Sequence, residues 1–169
     1  MFERVFTPLG ITSDDLVWRD NAYREHEIDG IARREFGSGI SANVDAMARL
    51  GYLYLRDGQW EDGQLLSRAF VEMARTTPRA IEGLEVLLPE MYGQASDHYG
   101  LLWWNNADAT LSQVPRNTFW TWGLYESLIV VFPDLDIVVA RAGESFADGS
   151  GPYSKLEPFF QPIVDAVVE

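Results

Sequence analysis

The amino-acid sequence predicts an α+β fold in which an antiparallel sheet is flanked by helices, and three observations support this. Two β-branched runs, Leu128 to Phe132 and Ile137 to Ala140, are joined by turn-forming residues 133–136, which is typical of a hairpin. Neither run alternates with polar residues, so both faces of the sheet are expected to be buried against other elements that cover them. Residues 44–55 and the chain from about Pro158 have apolar residues at helical spacing, and we expect these helices to provide the cover.

The first 36 residues are predicted to be largely irregular. Phe2 to Phe6 is interpreted as the last turns of a helix whose beginning is absent, stopped by Pro8 and Gly10. Residues 11–36 are mostly polar and charged and show no sustained helical or strand period. We therefore expect a long excursion over the surface.

Two helices are predicted between residues 37 and 75. The first runs from about Val44 to Leu55, with Ser41 or Asn43 as its N-cap, after the flexible run that begins at Gly37. The second runs from Arg68 to about Arg75, with Ser67 as its cap. The apolar stripe of the first helix is predicted to consist of Val44, Met47, Ala48, Gly51 and Leu55.

The second half of the chain is predicted to supply the sheet. Residues 76–97 contain several prolines and glycines that interrupt any helix. Tyr99 to Trp104 is a predicted strand, and Phe119 to Leu124 is predicted to be a third strand beside the hairpin. A loop over residues 141–152 is followed by the last helix, in which Pro162 is tolerated only within the first turn. Its apolar face is predicted to contain Phe159, Phe160, Ile163, Val164 and Val167.

Composition restricts the class of protein. A chain of 169 residues, 47% hydrophobic and without repeats or linkers, is predicted to form one domain over residues 1–169. A net charge of −13 disfavours nucleic acid and anionic membranes as partners. The absence of cysteine excludes disulfides, thiolate nucleophiles and thiolate zinc sites. The first residues form neither a signal peptide nor a membrane span, and the localisation of any longer parent protein stays open.

Isolated histidines and serines give weak functional signals. His26 lies among acidic residues, but the spacing does not match a helical ligand pair, so a solvated loop without metal is expected. His98 has no neighbouring partner in sequence and is treated as structural or exposed. Ser38 and Ser41 lie near glycines without the strand-turn-helix context of a nucleophile elbow. We predict neither a catalytic residue nor a cofactor or metal site in this chain.

Five segments, taken in order, carry motifs that occur together in one family. They are Phe2 to Thr12 with its Pro-Leu-Gly turn, Gly37 to Leu55, Gly58 to Ser67, the Tyr-Gly-Leu-Leu-Trp-Trp run of Tyr99 to Trp104, and Phe119 to Gly143. Together they resemble the serine β-lactamase-related hydrolases, which include class C β-lactamases, penicillin-binding DD-peptidases and related esterases. The resemblance spans nearly the whole chain and implies a partial β-lactamase/transpeptidase-like fold.

The catalytic half of the family pattern is missing from this sequence. The family's chemistry needs an activated serine in Ser-x-x-Lys and a Tyr-x-Asn loop, both of which normally precede the Pro-Leu-Gly turn. Neither spacing occurs here, and Lys155 is the single lysine of the chain. The resemblance therefore implies the C-terminal portion of a longer hydrolase, inactive by itself.

The third family motif is present in altered form and marks a candidate substrate-binding segment. Penicillin-recognising members have Lys-Thr-Gly, whereas esterase-like members end a different triplet in glycine; this chain has Thr121, Trp122 and Gly123. The resemblance implies that the backbone N–H of Leu124 is one oxyanion-hole donor. Tyr125, in the following bend, is a further candidate. Because Thr121 replaces the lysine, an ester or other acyl substrate is favoured over penicillin.

Two points stay open: whether Trp122 contacts a ligand, and whether the chain is part of a hydrolase. Trp120 and Trp122 share one face of their strand, so Trp122 can equally be a packing residue. The chain can be a hydrolase portion acting on a small acyl, ester or peptide substrate, or a non-catalytic module that binds such a ligand.

Without a flanking strand beside Ile137 to Ala140, we expect self-association or pairing with a missing N-terminal half. An unrelated small acidic domain would require all the ordered matches to be coincidence.

Overall fold

The chain folds around an antiparallel sheet formed by its second half. The computed structural model describes residues 2–35, 37, 39–146 and 155–167, so Ser38 and positions 147–152 of the predicted loop lie outside the described residues. A helical turn at Phe2–Phe6 opens the described chain. The described strands are β1 (Leu16–Trp18), β2 (Glu27–Ile28), β3 (Ile31–Ala32), β4 (Ile40–Ala42), β5 (Gln59–Trp60), β6 (Gly63–Gln64), β7 (Trp104–Asn105), β8 (Phe119–Trp122), β9 (Leu128–Phe132) and β10 (Ile137–Arg141). The helices are α1 (Val44–Leu55), α2 (Arg68–Arg75), α3 (Pro89–Tyr92), α4 (Ala95–His98) and α5 (Leu156–Asp165).

The central sheet has the strand order β10-β9-β8-β7, and all neighbouring pairs are antiparallel. The predicted hairpin is confirmed: Phe132 lies opposite Ile137, and a single turn at Pro133–Leu135 joins the strands. Every residue of β9 is buried, because helices cover both faces of the sheet. The predicted α+β class with flanking helices is therefore confirmed.

Helix α1 begins and ends where the sequence predicts, with the side chain of Asn43 accepting a hydrogen bond from the Ala46 N–H at 2.8 Å. Its buried face differs from the predicted stripe. Val44 is 49% exposed, whereas Ala46 and Leu53 are buried. The reason is that α1 packs on two sides, against the sheet and against an apolar cluster formed by the N-terminal segment. That cluster contains Phe6, Leu9, Ile11, Leu16, Ala46 and Leu53.

Residues 11–36 are not wholly a surface excursion, which corrects the prediction. Leu16 is buried, and β1 pairs with β4. The Trp18 indole N–H donates to the Glu35 carbonyl at 2.7 Å. A three-residue strand is too short to show a period, and its partner lies more than twenty residues away in sequence, so no local pattern marks it. The small hairpin of β2 and β3 is exposed, as expected for this segment.

The predicted strand from Tyr99 to Trp104 is wrong, since the chain turns within it. Gly100 donates its N–H to the Trp103 carbonyl at 2.6 Å, and Leu102 has a left-handed φ of 65°. Trp103 lies in the cluster on the α1 side of the sheet and Trp104 in the cluster on the α5 side. Within the turn the Leu101 N–H donates to the Ala74 carbonyl of α2 at 2.8 Å, so a contact distant in sequence competes with the strand pattern of this run.

Helix α5 covers the second face of the sheet and starts earlier than predicted. Phe160 is fully buried and makes edge contacts with Trp120 and Phe132. Because the helix begins at Leu156, Pro162 lies inside it rather than in its first turn. Of the predicted face, Val167 is 37% exposed and lies beyond the helix end. None of the helices in the described residues is both long and apolar enough to cross a bilayer.

Candidate functional site

A cleft of about 640 Å³ opens where β8 ends. The residues that line it come from the end of β8 and the following turn, from α3, from β7 and from two loops. They are Gly37, Met91, Tyr92, Trp104, Trp122, Gly123, Leu124, Tyr125, Glu126 and Ser145. The volume lies within the range of small-molecule sites.

The backbone after β8 leaves one donor available at the rim of the cleft. Trp122 is the last residue paired with β9, and the Gly123 N–H donates to the Ser127 carbonyl at 2.9 Å. The chain then makes a short helical turn over Leu124–Glu126. Among the described residues the Leu124 N–H has no acceptor, since it opens that turn. A free backbone donor beside a cleft is able to bind a carbonyl oxygen or an oxyanion.

The same turn contains two consecutive left-handed residues. Tyr125 has a φ of 58° and Glu126 a φ of 50°, a conformation that costs non-glycine residues free energy. The Arg141 guanidinium stabilises it by donating to the carbonyls of Tyr125 at 2.9 Å and Glu126 at 2.8 Å. Glu126 in turn accepts a hydrogen bond from the Phe146 N–H at 3.0 Å. The rim of the cleft is therefore held by the Arg141 side chain and by the backbone of Phe146, both outside the turn.

An aromatic wall, consisting of Tyr92, Trp104 and Trp122, forms the inner side of the cleft. The ring centroids of Tyr92 and Trp104 are 5.9 Å apart and nearly parallel, and those of Trp104 and Trp122 are 5.4 Å apart at 66°. Trp104 is 9% exposed, whereas Trp122 is half-buried. The wall thus combines a packing role with an accessible aromatic surface.

Behind the wall lies a buried histidine paired with an aspartate. His98 is fully buried, with Nδ1 3.2 Å from the Asp108 carboxylate and Nε2 3.3 Å from the Tyr92 carbonyl. Partial burial raises the pKa of Asp108, but hydrogen bonds from Thr110 and His98 outweigh it and hold this pKa below its ordinary value. The expectation of a structural His98 fits this burial, and its partner comes from a loop ten residues onward. The pair links that loop to the aromatic wall through Tyr92.

The structure brings four of the five sequence-predicted site residues to the cleft: Trp122, Gly123, Leu124 and Tyr125. Thr121 is not among the lining residues, and its hydroxyl oxygen accepts a hydrogen bond from the Ile129 N–H at 3.0 Å. It lies on the strand face opposite Trp122, because side chains alternate along β8. Ligand contact by the other four stays a prediction.

Sequence reasoning missed part of the lining. Met91 and Tyr92 lie in a proline- and glycine-rich stretch with no readable period, and nothing in sequence placed them near β8. Trp104, at the end of the run predicted to be a strand, is buried and also lines the cleft. In the described residues no group of histidines and acids could hold a metal ion, and His26 is exposed.

Comparison with solved structures finds similar structures at low sequence identity. The structure of the "putative beta-lactamase from Bacteroides dorei DSM 17855" matches with a TM-score of 0.55 and 15% identity over 88% of this chain and 44% of that chain. The "putative 6-aminohexanoate-dimer hydrolase from Bacillus anthracis" matches with a TM-score of 0.48 and 18% identity over 78% of this chain and 31% of its own. No family model and no curated protein matches the chain. This chain therefore shares the fold of part of the first of these proteins. It spans less than half the length of either.

Proposed function

We propose that this chain forms the sheet-bearing C-terminal portion of a β-lactamase-related serine hydrolase and does not hydrolyse a substrate alone. One observation carries the proposal: the Leu124 N–H has no acceptor among the described residues, and Leu124 lines the cleft directly after Gly123, where the family motif ends. The fold likeness over 88% of the chain supports it. The nucleophile and its base belong to polypeptide outside this sequence.

The reaction assigned to the assembled site is acyl transfer through a serine ester. The serine oxygen attacks the substrate carbonyl while its proton passes to a neighbouring base, and the carbonyl oxygen becomes an oxyanion. The Leu124 N–H donates to that oxyanion, with the N–H of the serine as the second donor. Collapse of the intermediate expels the alcohol, and water then releases the acid. An ester is favoured over a β-lactam because Thr121 stands where penicillin-recognising members have lysine.

The test is p-nitrophenyl ester cleavage by this chain alone and by the chain extended with the coding sequence upstream of Met1. We expect no turnover alone, and turnover in the extended protein that disappears when the serine of an upstream Ser-x-x-Lys is changed to alanine. Turnover by the 169-residue chain, or a covalent acyl adduct on one of its own hydroxyls, would contradict the proposal.

A non-catalytic binding module is the second candidate. The aromatic wall of Tyr92, Trp104 and Trp122 is complete within this chain, so a ligand can be bound without a nucleophile. Ligand binding by the extended protein without any ester cleavage would favour this candidate over the hydrolase.

A further inference from the structure

We propose that the cleft beside β8 selects an apolar ligand that bears a positive charge. The inference rests on the proposed function, since it names the substrate class of the same cleft. Four aromatic residues and one carboxylate carry it: Tyr92, Trp104, Trp122, Tyr125 and Glu126 all line the cleft. This combination provides ring faces and a counter-charge for an ammonium group.

The charges around the cleft favour a cation. Glu126 is the one charged side chain among the described lining residues. One of its carboxylate oxygens accepts the Phe146 N–H, and the other has no partner among the described residues. That second oxygen is therefore available to a ligand donor, and a hydrogen bond to an ionised acceptor is stronger than one to a neutral acceptor.

Two cations close to Glu126 already donate to protein carbonyls: Lys155 Nζ donates to the Phe146 carbonyl at 3.0 Å, and Arg141 is the second. Arg141 donates to the carbonyls of Tyr125, Glu126 and Glu144, and its guanidinium stacks over the Phe146 ring at 4.2 Å. A ligand carboxylate would have to compete with these carbonyls for the guanidinium. It would also meet the field of a chain with a net charge of −13. Anionic ligands are accordingly disfavoured at this site.

The aromatic residues determine the apolar part of the ligand. Trp104 and Tyr92 are held by mutual stacking, so their side chains lose little conformational freedom when a ligand binds. Tyr125 is 65% exposed at the rim, where it is able to close over a bound group. Aromatic and aliphatic bodies both fit a lining of this kind, whereas a highly hydrated polar body does not.

The experiment compares three probes of similar size: phenethylammonium, 2-phenylethanol and 3-phenylpropionate. Each is titrated into the isotopically labelled 169-residue chain, and the amide and indole shifts report both affinity and location. We expect the cation to bind about fivefold more tightly than the alcohol, with the propionate weakest, and the shifts to centre on residues 122–126. Equal or tighter binding of the propionate, or absence of shifts at the cleft with every probe, would overturn the inference.

Two charge-matched variants separate the cleft from the general acidity of the chain. Glu126→Gln keeps an acceptor for the Phe146 N–H but removes the charge, whereas Glu61→Gln removes a charge from the exposed turn between β5 and β6. We expect the preference for the cation over the alcohol to fall about threefold in the first variant and to persist in the second. If both variants lowered the preference for the cation equally, the cation would be attracted by the net charge of the chain, and selection by the cleft would be refuted.

A third variant tests the ring faces. Trp122→Leu keeps an apolar side chain but removes the accessible indole, and we expect it to weaken binding of the cation more than binding of the alcohol. The Glu126→Gln comparison decides the matter if this variant does not fold. These titrations are independent of ester cleavage: cation selectivity without turnover in the extended protein refutes the hydrolase alone, and turnover without selectivity refutes this inference alone.

Discussion

At the scale of single residues, the rim of the cleft depends on a strained turn. Tyr125 and Glu126 both adopt left-handed backbone angles, each costing on the order of 1–3 kcal/mol. The hydrogen bonds from Arg141 and the Glu126–Phe146 contact offset that cost. The result is a turn in which the Leu124 N–H is left without an acceptor among the described residues. Strain at this position is what we expect where a backbone donor has to face a ligand.

The first prediction concerns that donor. Gly123 is extended, with φ −109° and ψ −176°, and so lies outside the helical region that a following proline disfavours. Leu124→Pro should therefore remove the N–H with little change in the backbone. In the extended, active protein we expect kcat for p-nitrophenyl ester cleavage to fall by about 10²–10³. Leu124→Ala, which keeps the N–H, is the control, and an equal loss in both variants would assign the effect to the side chain.

The second prediction concerns Asp108 and acid stability. Its pKa lies below the ordinary value of 3.8, so the folded state is stabilised by the ionised carboxylate above that value and loses this contribution as pH falls through the lower folded pKa. Asp108→Asn should reduce the free energy of unfolding by about 1–2 kcal/mol at neutral pH. The difference from the parent chain should shrink as the pH falls below 3.8 and through the lower folded pKa of Asp108.

Urea unfolding at neutral and acid pH measures this difference. Asp14→Asn provides the control, because Asp14 is exposed and its carboxylate makes no hydrogen bond among the described residues. A loss of stability in Asp108→Asn that is the same at both pH values would mean that the amide disturbs packing, and the linkage argument would fail.

At the scale of elements, the sequence predicts those that are marked by local chemistry. Helices α1 and α2 have capping side chains at their first turns, and the β9–β10 hairpin combines two apolar runs with a proline turn, so each was found with nearly correct bounds. Strand β1 was missed because its pairing with β4 is distant in sequence. The turn at Gly100 was missed because it includes a contact with α2 that is distant in sequence, the hydrogen bond from the Leu101 N–H to the Ala74 carbonyl.

In the candidate site, too, residues marked by a local sequence signal were predicted and residues placed by distant contacts were not. The segment from Trp122 to Tyr125 was predicted because a family motif ends there and a single continuous stretch contains it. Tyr92 reaches the cleft from a distant, irregular segment, and its position depends on contacts with Trp104 and His98. No property of the isolated sequence around Tyr92 encodes those contacts. Thr121 does not line the cleft, because side chains alternate along β8 and its hydroxyl bonds the Ile129 N–H; a ligand role for it stays a prediction.

The third prediction tests how closely α1 packs on the sheet. A Cβ at Gly51 would lie 2.5 Å from Val138 Cγ1 and 2.7 Å from Ile129 Cγ2, and both neighbours are β-branched and stiff. Alanine gains about 1 kcal/mol in helix propensity, but the overpacking costs about 1–3 kcal/mol. We therefore expect Gly51→Ala to lower the free energy of unfolding by about 1 kcal/mol.

A double-mutant cycle with Val138→Ala identifies the cause. If the clash is responsible, Gly51→Ala should cost less in the Val138→Ala background, because the nearest methyl group is gone. Additive losses, or stabilisation by Gly51→Ala in the parent chain, would show that α1 is able to move away from the sheet.

At the scale of the whole molecule, the layers are coupled through α1. Leu50 packs against both the N-terminal cluster and the cluster between α1 and the sheet, while α5 covers the opposite face of the same sheet. The edges of the sheet are less well protected than its faces. All residues of β9 are buried, whereas every residue of β10, at one edge of the described sheet, is only half-buried.

The last prediction follows from this edge. An apolar edge strand with unpaired backbone groups tends to pair with another chain, so we expect the 169-residue chain to self-associate as its concentration rises. Ala140→Lys places a charge within β10 and should shift the chain toward monomer, whereas Ser13→Lys adds the same charge on an exposed turn and should not. Sedimentation equilibrium over a concentration series distinguishes these outcomes. A parent chain that stays monomeric throughout would show that the β10 edge is protected without a partner.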